Sequence, residues 1–119
     1  MIVTRSTIAS TLKSLRSSKT LAVDTETTGL RPYHGDTPFA VIISDGAADY
    51  YFDFSESAEW RPDPRQMQED LFATKCHAHC DRIWFFANAK FDLAMLETLG
   101  IAPIGTVHDL AVHERLLDS

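Results

Sequence analysis

Apolar residues along the chain follow first a helical and then an extended rhythm. Ile8, Leu12 and Leu15 recur at steps of four and three behind Ser6 and Thr7, either of which can cap a helix, so the spacing predicts a short amphipathic helix over residues 7 to 17. The run Thr20-Leu21-Ala22-Val23-Asp24-Thr25-Glu26 reads as a buried strand with carboxylates at its end, and Thr27-Thr28-Gly29 offers a turn. Phe39 to Ser44, a β-branched run, and Asp49 to Phe54, rich in aromatics, are two further strands. Asp45-Gly46 between them marks a hairpin, so the three strands are expected in antiparallel order.

The second half alternates helix and strand. Good helix formers run from Arg65 to Thr74 after Pro64, Ile83 to Ala87 is a short buried strand, and apolar positions from Asp92 to Leu99 repeat at helical spacing with Gly100 as terminator. Thr106-Val107-His108 is a weak final strand and Asp109 to Leu117 a last helix. The predicted fold is mixed α/β, an antiparallel meander followed by parallel strands, flanked by crossover helices. The aromatics Tyr50, Tyr51, Phe52, Phe54, Trp84, Phe85 and Phe86 sit in strands and are expected to be mostly core rather than a base-stacking platform.

Composition narrows the function classes. A chain of 119 residues that is 45% hydrophobic buries about two-thirds of its unfolded surface, which points to one folded domain over residues 1–119 and away from disorder. Eleven Lys+Arg against 17 Asp+Glu give a net charge of −6, the wrong sign for a general DNA coat or a polybasic membrane binder. The first twenty residues hold no apolar block suited to a signal peptide or membrane span, so a cytoplasmic setting with no membrane partner is expected, and its reducing conditions would keep Cys76 and Cys80 as thiols. Cys76-His77-Ala78-His79-Cys80 packs four zinc-ligand types into five residues, but a single pentapeptide wraps a tetrahedron poorly and reads as a helix end with incidental thiols. His34 and Asp36 read as solvent-exposed turn residues.

Chemistry enters through the carboxylates. Asp24 and Glu26 lie two apart, so on a strand they share one face, and two acids crowded there call for a cation; oxygen-only ligands suit Mg²⁺ or Mn²⁺. Asp92 opens a predicted helix four residues after Asn88, where the helix dipole favours a carboxylate. Taken singly, each residue has an ordinary alternative: Asp24 as a turn cap, Glu26 as a solvated side chain, Asp92 as a helix N-cap.

Together, Leu21-Ala22-Val23-Asp24-Thr25-Glu26-Thr27-Thr28-Gly29-Leu30 and Phe86-Ala87-Asn88-Ala89-Lys90-Phe91-Asp92-Leu93-Ala94-Met95-Leu96 resemble the first and second motifs of the proofreading 3′–5′ exonuclease domain of family A DNA polymerases, within the DnaQ-like superfamily. His108-Asp109-Leu110 through Leu116-Leu117-Asp118 resembles the segment that follows the second motif, so the likeness runs in family order from about Lys19 onward. The resemblance implies a ribonuclease-H-like fold and a two-ion site in which Asp24 bridges two divalent metals, Glu26 binds the tighter one and Asp92 holds the second. It also implies that Asn88 positions the strand or the carboxylates, that Leu30 packs on the terminal base, and that Lys90 and Thr25 contact the backbone of the strand. Bound cations would offset part of the negative charge at the phosphodiester.

The family's third motif, a Tyr or His followed by an Asp on a late helix, has no counterpart at the expected place. His113 and Asp118 have a related spacing but follow Asp92 too closely, and they read as ordinary helix residues of a domain lacking its C-terminal helices. The expected activity is metal-dependent release of nucleoside monophosphates from a single-stranded or frayed 3′ end of DNA, beside a polymerase body in a phage or bacterium. Two alternatives stay open: a related exonuclease acting on RNA, and a module of the same fold that binds without cleaving.

Overall fold

The computed structural model of the chain describes residues 1–76 and 81–111. Within them, α1 (Ile8–Arg16) leads into β1 (Thr20–Thr27), β2 (Pro38–Ser44) and β3 (Asp49–Asp53); α2 (Pro64–Met67), continued by a wider π-helical turn (Gln68–Phe72), precedes β4 (Ile83–Phe86), α3 (Ala89–Thr98) and β5 (Thr106–Asp109). The strands form one sheet in the order β3-β2-β1-β4-β5. β1, β2 and β3 are antiparallel, as expected with the Asp45-Gly46 hairpin, while β4 and β5 run parallel to β1.

The core lies on one face of this sheet. Leu21 and Val23 of β1, Val41 and Ile43 of β2, Phe52 of β3 and Trp84 and Phe86 of β4 pack with Leu12 and Leu15 of α1, Leu71 and Phe72 of the π-helical turn, and Leu96 of α3. Phe72 stacks on Trp84 with ring centres 4.9 Å apart. On the opposite face Asp24, Glu26 and Ala22 are exposed, and Ile42, Phe85 and His108 are half-buried. The strand aromatics therefore divide: Phe52, Trp84 and Phe86 are core, whereas Tyr50, Tyr51, Phe54 and Phe85 are only partly covered.

Several local expectations change. Thr7 is the N-cap of α1 but its hydroxyl accepts from Thr4 N–H at 2.8 Å instead of capping the helix. α3 begins at Ala89, earlier than the apolar spacing indicates, because Asn88 is its N-cap and accepts from Phe91 N–H. Gly100, at φ 77°, ends it in the left-handed conformation, with Gly100 N–H and Ile101 N–H donating to Glu97 and Leu96 carbonyls. The second half of the helix after Pro64 widens, and the wide turn places Leu71 and Phe72, adjacent in sequence, both in the core. The helix expected from Asp109 to Leu117 has only Leu110 and Ala111 helical among the described residues; the rest of it, with His113 and Asp118, lies outside them, as do His77, His79 and Cys80. No helix among the described residues is long and apolar enough to cross a membrane.

Candidate active site at the ends of the parallel strands

Sheet order fixes where a site can form. The chain leaves β1 toward β2 on one side and returns through β4 on the other, so the carboxyl ends of β1 and β4 flank a switch point where open sheets bind ligands. The last β4 pairing is Val23 with Phe86, and Asp24 is therefore the first β1 residue beyond it. Asp24 and Glu26 project from the open face, with Thr25 between them turned into the core side. The register slips between Glu26 and Thr27, a bulge that bends the strand beside the acidic pair.

Asp92 comes from α3 to the core side of β1, behind the open face that carries Asp24 and Glu26. It sits one turn into the helix, 3% exposed, rather than at its cap. Thr25 Oγ1 donates to Asp92 Oδ1 at 2.8 Å and the Asn88 N–H donates to Asp92 Oδ2 at 3.3 Å. Burial pushes the Asp92 carboxyl above the usual carboxylate range; the Thr25 hydroxyl and the Asn88 N–H pull it back, and the charges of Asp24 and Asp109 add to the rise. Thr25, expected at the substrate, thus gives its side chain to holding Asp92 against β1.

Asp109 is the residue that sequence reasoning missed. Parallel pairing sets it opposite Phe86 at the end of β5, and its carboxylate accepts from Ala89 N–H at 3.3 Å and Ala111 N–H at 2.9 Å. It thereby holds the first residue of α3 beside the acids. In sequence it stands just after a weak strand, as the expected first residue of a helix, and inside the block that resembles the segment after the second motif, but nothing in spacing reveals which strand lies beside it.

Asn88 and Lys90 are exposed at the start of α3, and both face a groove shared with Leu30 and the short 3₁₀ turn Pro32–His34. His34 is exposed as expected, but Asp36 is half-buried and structural. It accepts from Arg31 N–H at 2.9 Å and from the Thr28 hydroxyl at 3.3 Å. A Cβ on Gly29 would collide with this carboxylate, so glycine is required by close approach. Cys76 is half-buried with its thiol toward the Ser17 carbonyl at 3.7 Å.

The donor chemistry suits an oxygen-preferring divalent cation: carboxylates only, from two elements, one of them buried beside two further negative charges. Among the described residues, no three His, Cys, Asp or Glu side chains gather closely enough to enclose an ion. The arrangement is thus an open group of acids rather than a closed metal cage.

A family model described as 3′-5′ exonuclease matches residues 1–119. No curated protein matches the chain. Among solved structures, Brucella melitensis NrnC with bound Mg²⁺ superposes with a TM-score of 0.60 at 21% identity, over 86% of this chain and 46% of NrnC, and NrnC is also known bound to pGG. The Aedes aegypti Nibbler EXO domain gives a TM-score of 0.68 at 14% identity over 98% of this chain and 55% of that one. Escherichia coli RNase D, described as an exoribonuclease involved in structured RNA processing, gives 0.61 at 20% identity over 92% and 26%. The chain therefore has the ribonuclease-H-like fold of DnaQ-like exonucleases, and spans about half the length of NrnC, 46%.

Proposed function

Because the chain belongs to the 3′-5′ exonuclease family, we propose that it forms the proofreading domain of a DNA polymerase, removing nucleoside monophosphates from a single-stranded or frayed 3′ end of DNA. The observation that carries this reading is the meeting of the two motif-bearing elements: Thr25 of β1 donates to Asp92 of α3 at 2.8 Å, with Asp24 and Glu26 on the open face beside them. Asp24, Glu26 and Asp92 would hold Mg²⁺ or Mn²⁺. When bound, such ions lower the pKa of water and stabilise charge on the leaving 3′ oxygen.

The chain's own residues prepare that step. Thr25 and the Asn88 N–H fix the Asp92 carboxylate, and Asp109 anchors the first residue of α3. Leu30 meets the terminal base, while Asn88 and Lys90 meet the strand. An RNA strand is the second reading, favoured by the likeness to RNase D.

The test is the fate of 5′-labelled single strands of DNA and RNA of one sequence, incubated with Mn²⁺. A ladder shortening from the 3′ end of DNA, absent in EDTA and in Asp24→Ala, is expected. A ladder on RNA alone would transfer the assignment to the exoribonuclease reading. No ladder on either, from folded protein, would reject hydrolysis by these residues and leave a binding module.

A further inference from the structure

The groove between the Pro32–His34 turn and α3 has a volume of about 440 Å³. Leu30, Tyr33, Phe91 and Ala94 give it apolar walls, and Arg31 and Lys90 add cationic groups. Tyr33 and Ala94 also border a second, smaller hollow beside Glu97 and Thr98.

Two features call for a ligand. Leu30 and Tyr33 are 81% and 82% exposed, whereas the most exposed strand aromatic, Phe39, is 36% exposed, and neighbouring apolar groups left in water mark an interaction site. Their frame is also stiff. Arg31 carbonyl accepts from His34 and Asp36 N–H at 3.0 and 3.2 Å, and the Asp36 carboxylate closes the loop on Arg31 N–H and Thr28. A surface loop built this rigidly presents its side chains already ordered for binding. On a chain of net charge −6, Arg31 and Lys90 at an apolar groove complement a phosphodiester attached to a flat base.

We propose that Tyr33 stacks on the 3′-terminal base of a bound single strand in this groove, with Arg31 toward the neighbouring phosphate, making Tyr33 a specificity-determining residue for strands with an intact terminal base. The inference rests on the exonuclease reading and adds a residue to its substrate site. Aromatic stacking on bases tolerates any sequence because every base has a π-face, so the groove selects for the presence of a base rather than its identity.

The experiment measures fluorescence anisotropy of a short 5′-fluorescein single-stranded DNA with the full chain, in Ca²⁺ to hold back hydrolysis. Tyr33→Ala is expected to weaken binding about tenfold or more and Tyr33→Phe to stay within about twofold. An otherwise identical strand with a 3′-terminal abasic site should weaken wild-type binding by a similar factor and cost Tyr33→Ala nothing further, because base and ring are one interaction. A merely structural role would make the two losses multiply, which would overturn the proposal, as would unchanged binding by Tyr33→Ala. Wild-type protein that binds neither strand would overturn the exonuclease reading together with the inference.

Discussion

Asp92 carries an unusual burden for a carboxylate. It is buried beside Asp24 and Asp109, and two donated hydrogen bonds only partly offset the loss of water, so its protonated form is favoured in the folded state. A carboxyl raised on folding stabilises the fold fully below its unfolded pKa, about 4, and that contribution is lost as pH rises through the higher folded value. Asp92→Asn removes the titration. In EDTA, urea unfolding should find the variant gaining stability relative to wild type as pH rises from 4 to 7; parallel pH profiles would show that Asp92 carries no such cost. At this scale, Asp24 and Glu26 were legible because strand alternation is local and puts both on one face. The burial of Asp92 was not, since it depends on α3 starting at Ala89 with Asn88 as the cap, and Asp and Asn cap helices about equally well.

Between elements, one buried side chain joins three segments. Arg82 is fully buried and donates to carbonyls of Arg16 at the end of α1, Ser18 just before β1, and Leu71 and Thr74 after α2. Its guanidinium also lies 5.5 Å from the centre of the Trp84 ring. A cation placed among carbonyls at segment ends supplies donors where backbone ladders stop. Arg82→Met would keep much of the stem and remove the guanidinium from the Arg16, Ser18 and Thr74 carbonyls, leaving Leu71 only its Thr74 donors, and should cost about 3 kcal/mol or more in urea unfolding; a loss below about 1 kcal/mol would show that water replaces the guanidinium readily. Strands and helices themselves were readable from apolar spacing, including the antiparallel first half. The neighbours of β4 and β5 were not, because parallel pairing joins segments far apart in sequence and leaves no turn signature. For that reason Asp109, brought opposite Phe86 by the β5 register, was absent from the expected site while residues of the first two motifs were present.

Across the whole molecule, topology gathers the acids and the cationic groups at neighbouring places. The strand order puts Asp24 and Glu26 of β1 at the switch point, and α3 brings Asp92 to the other face of the same strand through Thr25, while Arg31 and Lys90 line a groove beside the start of α3. The charge of −6 therefore predicts weak binding to nucleic acid in general and binding at the site that rises with divalent cation. Asp24 and Asp92, from separate elements, are expected to act on one cation, and Mn²⁺ titration followed by electron paramagnetic resonance checks this. Wild type is expected to bind Mn²⁺, with affinity lowered about tenfold or more by Asp24→Asn or Asp92→Asn and a double variant little weaker than either single one. Wild-type protein that leaves Mn²⁺ free, or single variants that bind it as well as wild type does, would contradict it.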